Sequence, residues 1–157
     1  MRAKFVNEYL ELPPKSNEDI IRDLSTLSKD ELNKQFLKAS EKGLTRIVQW
    51  IIDTGADVNT QNQLGWTPLM MASAYGHEDI VKLLLDTGAD VNTKDYIGWT
   101  ALMYASAKGH TDNVKLLLDN GADVNIKDYE RWTALMYASS NGHKDVVELL
   151  KKYGAKE

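Results

Sequence analysis

Apolar residues recur along this chain at helical spacing, and short polar or glycine-containing stretches interrupt them at regular intervals. Ile20, Ile21, Leu24 and Leu27 form the first stripe, one face of a helix predicted over residues 17–27. Ser16-Asn17-Glu18-Asp19 supplies cap-type side chains and acids at its first turn. Upstream, Phe5, Val6, Tyr9, Leu10 and Leu12 lead to Pro13-Pro14, whose rings stop a helix and hold the chain in an extended approach. Ser28-Lys29-Asp30-Glu31 fits a capping box, with Ser28 accepting from the Glu31 amide and Glu31 reaching back. It opens a second helix that runs to Lys42.

The pattern then repeats. The segments Gly65–Ile97 and Gly98–Glu130 agree at about 25 of 33 positions, a period that belongs to helical arrays. A further copy runs from Arg131 to the last residue. A degenerate one precedes them, aligned through Ala39-Ser40, Gly43, Ile47-Val48, Ile51-Ile52 and Gly55-Ala56-Asp57-Val58-Asn59. Four repeats therefore begin near Leu32, Gly65, Gly98 and Arg131, each predicted to carry two short helices. In the third, Ala101–Lys108 is small-residue-rich, and Asp112–Asn120 presents Val114, Leu116, Leu117 and Leu118. Gly109 and Gly121 follow these helices, where a left-handed residue is wanted, and residues 122–132 read as an extended loop with a turn near Asp128-Tyr129.

Such an array must cover both terminal apolar faces. At the C-terminal end, ELLKKYGAKE replaces KLLLDNGADVN, so Lys151 and Lys152 face water. At the other, the Ile20–Leu27 stripe is the natural lid, and a chain starting at Leu32 is expected to be much less stable. The expected division is an arm and capping helix over residues 1–31 and a repeat domain over 32–157, with repeats 32–64, 65–97, 98–130 and 131–157.

These residues resemble the ankyrin repeat, with its T-P-L-H-x-A-A, G-H, I/V-V-x-L-L-L and G-A-D-V-N motifs. Thr67-Pro68-Leu69, Gly76-His77, Ile80-Val81, Leu83-Leu84-Leu85 and Gly88–Asn92 carry the likeness in the second copy, with equivalents in the third. The resemblance implies an all-α solenoid of antiparallel helix pairs with projecting hairpin-like turns, and a curved array that binds other proteins. Two departures stand out. Met70, Met103 and Met136 replace the family's usual His with an apolar filler. Gln35, Ala101 and Ala134 stand where Pro68 marks a helix start.

Composition narrows the chemistry. With 19 Lys and Arg against 23 Asp and Glu the net charge is −4, which carries no electrostatic footprint for nucleic acid or an anionic membrane. Cysteine is absent, so disulfides and cysteine-ligated metals are excluded. No apolar run approaches a membrane span, and the expected setting is a monomer in the cytoplasm. His77, His110 and His143 each follow a glycine at one phase of the repeat. Stacked helices lie about 8–10 Å apart, too far to bring these rings to the 2.0–2.1 Å of a zinc ligand, so they read as structural turn residues. Asp79, Asp112 and Asp145 sit at helix starts against the helix dipole, and Asp57, Asp90 and Asp123 sit in turns that bond local backbone. No Ser-His-Asp cluster or phosphate-cradling glycine loop is present, so neither an enzyme nor a cofactor is expected.

What remains is a surface for a protein partner. Positions identical among the repeats build the stack, and Trp66, Trp99 and Trp132 read first as packing along the turns. Positions that vary could carry partner information: Gln63, Tyr96 and Tyr129; Leu64, Ile97 and Glu130; Met71, Tyr104 and Tyr137; Tyr75, Lys108 and Asn141. By the resemblance these fall on the turn tips and the concave side of the first helices, and they are rich in tyrosine, a frequent hot-spot residue. Tyr104 and Tyr137 could equally cover neighbouring repeats. The competing expectation is a structural or engineered scaffold with no dedicated ligand, which the near-identity of the inner copies also fits.

Overall fold

The computed structural model describes residues 15–157. The arm before Pro13 and the extended approach expected there lie outside the described residues. Among these, nine helices and no strand are present: α1 (Asn17–Ser25), α2 (Lys29–Lys42), α3 (Thr45–Asp53), α4 (Pro68–Tyr75), α5 (Glu78–Asp86), α6 (Ala101–Lys108), α7 (Thr111–Asp119), α8 (Ala134–Ser140) and α9 (Lys144–Lys152). The fold is all-α, as expected. Helix α1 ends two residues short of the expected Leu27, because the Thr26 hydroxyl and amide both turn back to the Asp23 carbonyl. The Ser28 hydroxyl accepts from the Glu31 amide at 3.2 Å, and α2 starts there. Gln35 is thus buried in the middle of α2 and not at a helix start. That corrects its comparison with Pro68, which does sit at the first turn of α4.

Helices α2, α4, α6 and α8 pack side by side as one layer, α3, α5, α7 and α9 as a second, and α1 lies on α3. Ala39, Ala72, Ala105 and Ala138, all at one phase of the repeat, are fully buried, which lets the first helices approach closely. Between the layers, Phe36, Ile51, Leu69, Ile80, Leu84, Leu102, Leu117 and Leu150 form a continuous apolar seam.

Polar stitches run across each step of the stack. His77, His110 and His143 donate Nε2–H to the carbonyls of Glu41, Ala74 and Ala107 in the preceding repeat, at 2.6, 3.0 and 2.9 Å. A carbonyl only accepts, which sets the tautomer. Each ring rests on the helix-ending glycine of the preceding repeat: a Cβ on Gly109 would come within 2.6 Å of His143, and with φ at +76° this residue also needs the left-handed region. The histidines therefore join repeats and do more than turn the chain. Asn59, Asn92 and Asn125 add a second row, their side-chain oxygens accepting from the amides of Asp90, Asp123 and Lys156 one repeat on, at 2.8–3.0 Å. Asp57, Asp90 and Asp123 bond the amide two residues ahead, as expected of turn aspartates. Met70 is more than an apolar filler, since its sulfur accepts from the Thr67 amide at 3.5 Å.

One core position breaks the pattern. Asn113 is 1% exposed where the other repeats place Ile80 and Val146, and neither its amide oxygen nor its nitrogen has a hydrogen-bond partner. An unpaired buried amide costs about 1–3 kcal/mol. Asn113→Val is expected to raise the unfolding free energy by roughly that amount, read from the midpoint of urea denaturation. An unchanged or lower midpoint would show that the amide is satisfied in solution.

Candidate functional site

The loops after the second helices fold back as short hairpins, closed by backbone bonds from Asn62, Asp95 and Asp128 to the carbonyls of Trp66, Trp99 and Trp132. One side-chain oxygen of each acid or amide organises the tip. Asn62 Oδ1 accepts from Leu64 and Trp66, Asp95 Oδ1 from Ile97 and Trp99, and Asp128 Oδ1 from Glu130 and Trp132, all at 2.8–3.0 Å. Successive tips are joined by the Tyr96 amide to the Leu64 carbonyl and the Tyr129 amide to the Ile97 carbonyl. Gly65 and Gly98 take left-handed backbone at the tips, and Arg131 takes the same conformation at φ 68° in the last hairpin.

Behind the tips the aromatic rings form one ladder. Trp66 and Trp99 lie 4.4 and 4.8 Å from Tyr104, and Trp99 and Trp132 lie 4.3 and 5.0 Å from Tyr137, all tilted. The Tyr104 and Tyr137 hydroxyls donate to the second oxygens of Asp95 and Asp128. Burial, then the Asp95 carboxylate, pushes the Tyr104 phenol well above the usual range, and burial, then the Asp128 carboxylate, pushes Tyr137 up to about 12. Asp95 was not singled out from the sequence, and Asp128 was named only as part of a turn. The signal was there: Asp95/Tyr104 and Asp128/Tyr137 vary together against Asn62/Met71, whose methionine has no hydroxyl to donate.

The sequence-selected residues thus fall into two groups. Trp66, Trp99, Tyr137 and Met71 are half-buried, and Tyr104 is only 7% exposed, so of the two roles open to Tyr104 the structure gives it the covering of neighbouring repeats within the packed ladder. Gln63, Leu64, Tyr75, Tyr96, Ile97, Lys108, Tyr129, Glu130, Trp132 and Asn141 are exposed, with Tyr75 at 53%, Tyr96 at 67% and Tyr129 at 68%. A cleft of about 610 Å³ brings Tyr75, Lys108 and Asn141 together over a floor of Trp66, Trp99 and Tyr104. Ala74, Ala107 and His110 complete its walls, and none of them was selected from the sequence. The three histidines are each engaged by a carbonyl, and among the described residues no group of three His, Cys, Asp or Glu is placed to hold a metal.

Comparison with protein-family models matches residues 36–128 to ankyrin repeats in three copies and residues 130–156 to a further ankyrin repeat. The chain belongs to the ankyrin repeat family, whose members are generally non-catalytic modules of protein–protein interaction. Comparison with curated proteins gave no match. Among the described residues no helix is long and apolar enough to cross a membrane.

Proposed function

We propose that this protein captures a protein partner on the face made by its hairpin tips and first helices, through the cleft over the aromatic ladder. The observation that carries this is the contrast between rings at neighbouring positions. Tyr104, Trp66 and Trp99 are held by packing, with Asp95 binding Tyr104 and the Trp99 amide, while Tyr75, Tyr96 and Tyr129 project from that rigid base into solvent. Exposed tyrosines on a preformed support offer contact area at small ordering cost. Gln63, Leu64, Ile97, Glu130 and Trp132 extend the same surface along the tips, and Lys108 and Asn141 edge the cleft. Occlusion or scaffolding follows from such a surface, with no chemical step.

A triple variant, Tyr75→Ala, Tyr96→Ala and Tyr129→Ala, tests this by affinity capture from a source lysate. The three side chains lie off the packed ladder, so the helical circular dichroism and melting point should hold. Capture should fall by at least about 30-fold if one of the three is a hot spot worth 2 kcal/mol. Tyr104 and Trp99 are unsuitable for this test, because their loss would break the stack itself. Full capture by the variant would remove the proposal, and a wild-type chain that captures nothing saturable would leave a scaffold without a dedicated ligand.

A further inference from the structure

We infer that the cleft between Tyr75 and Asn141 takes a peptide segment that sets a carboxylate beside a bulky apolar side chain, an inference that rests on the interaction face proposed above. The floor is aromatic and the walls include the small side chains of Ala74 and Ala107, so the space accepts an apolar group of some size. Its polar rim is already engaged at nearly every point. His110 donates to the Ala74 carbonyl, the Asn141 amide donates to the Ala107 carbonyl, and the Tyr104 hydroxyl donates to Asp95. Lys108 is the exception. It is exposed at the centre of the rim, no carboxylate lines the cleft, and the ion pairs found among the described residues involve Lys15, Arg22, Lys115 and Lys151 instead.

The exposed charge at the hairpin tips has the same sign. Lys94, Lys127 and Arg131 are exposed there against one exposed acid, Glu130. Lys94 donates to the Lys127 carbonyl at 2.9 Å and stands 5.8 Å from the centre of the Tyr129 ring, which holds its ammonium on this face. The buried Asp95 and Asp128 are each surrounded by two amides and a phenol, while Glu78, Asp79, Asp86, Asp112 and Asp145 lie on the second helices. Lys82, Lys115, Lys144, Lys151 and Lys152 stand on the second helices as well, and exposed Asp57, Asp90 and Asp123 precede the tips, so the cationic excess is local to the exposed tip residues and to Lys108 of the cleft. An exposed lysine adds little to affinity, but it decides which partner is accepted. The apolar contact supplies the binding and Lys108 selects the carboxylate.

The test uses two fluorescently labelled peptides, one alternating glutamate with leucine and phenylalanine, the other with lysine in place of glutamate. Anisotropy titration against the full chain should show the acidic peptide binding at least about 10-fold tighter, with the preference weakening as salt rises. Lys108→Glu should reverse that preference, and Tyr75→Ala should abolish binding of both, each variant keeping the wild-type circular dichroism. Equal binding of both peptides, no binding of either, or an unchanged preference in Lys108→Glu would overturn the carboxylate inference. A single-stranded oligonucleotide that competes as well as the acidic peptide would overturn it too, because the cation would then be reading phosphate. If Tyr75→Ala leaves binding of the acidic peptide intact, the interaction face itself falls. If Tyr75→Ala abolishes binding but Lys108→Glu changes nothing, that face stands and only the charge selection is lost.

Discussion

Replacing Ile20 and Leu24 together by alanine is expected to lower the unfolding free energy by about 4–8 kcal/mol, close to the whole stability of a small domain. Both side chains are buried, Leu24 completely, and α1 carries them onto α3, where Val48 and Ile51 are fully buried. The indole of Trp50 fastens the helix further, donating to the Asn17 side chain at 3.3 Å. Removing the two side chains uncovers the end of a stack whose repeats contact only their neighbours, so unfolding should begin in the first repeat and spread. Urea denaturation followed by circular dichroism gives the size of the loss, and hydrogen exchange should show α2 and α3 opening before α6 and α7. The half-buried Ile21 is the control, its alanine variant costing about 1 kcal/mol. A double variant with a native denaturation midpoint would show that α1 is not a lid. Truncation at Leu32 is a poorer test, because α2 begins at Lys29 and the cut also removes its first turn and the Ser28 cap.

Asp95→Ala is expected to cost about 3–5 kcal/mol, the size of a buried charge network broken on one side. The carboxylate is 2% exposed and accepts from the Ile97 amide at 3.0 Å, the Trp99 amide at 2.8 Å and the Tyr104 hydroxyl. Alanine leaves three donors without a partner. Asp95→Asn should cost much less, because Asn62 shows that an amide oxygen holds the same two backbone groups. Combining Asp95→Asn with Tyr104→Met reproduces the Asn62/Met71 pair, and the two changes should couple by about 1–3 kcal/mol. Exact additivity would show that the phenol and the carboxylate do not depend on each other.

The same pairs make the array sensitive to alkali. Tyr104 and Tyr137 titrate above the value of about 10 that they have in the unfolded chain, Tyr137 at about 12. For a folded-state pKa raised in this way, the stabilisation is complete below the unfolded value and is lost as pH rises through the folded one. Unfolding free energy should therefore fall from pH of about 10 upward. The fall should be smaller in Tyr104→Phe with Tyr137→Phe, measured by urea denaturation at each pH.

Much of the architecture was legible in the chain because each helix is bounded by its own signals. Ser16, Ser28 and Thr67 cap helices and Gly43, Gly76 and Gly109 end them, so α6 falls on the residues its pattern predicted. Gln35 was misplaced for a related reason: Ser28 starts α2 early, and a repeat alignment alone cannot show that one copy has a longer first helix. The candidate site was legible only as a set of positions. Comparison of the copies selected Tyr75, Lys108 and Asn141, three side chains of one phase that the stack does bring to one cleft. The same comparison left Tyr104 open between surface and inter-repeat cover, and only the fold shows its ring wedged between Trp66 and Trp99 from neighbouring hairpins.

What the sequence alone determined is the helix pairs, their order and their period, because caps, glycines and apolar spacing act within a few residues and each copy repeats them. Only the tertiary structure decided which tyrosines are framework and which are surface. Burial depends on residues about one repeat away, and a phenol that finds a buried carboxylate behind it is held in the ladder, while one at a hairpin tip stays about two-thirds exposed. It also decided that the histidines join repeats, since the carbonyl each one reaches lies 36 residues earlier in the chain, a distance over which stacking alone brings donor and acceptor together.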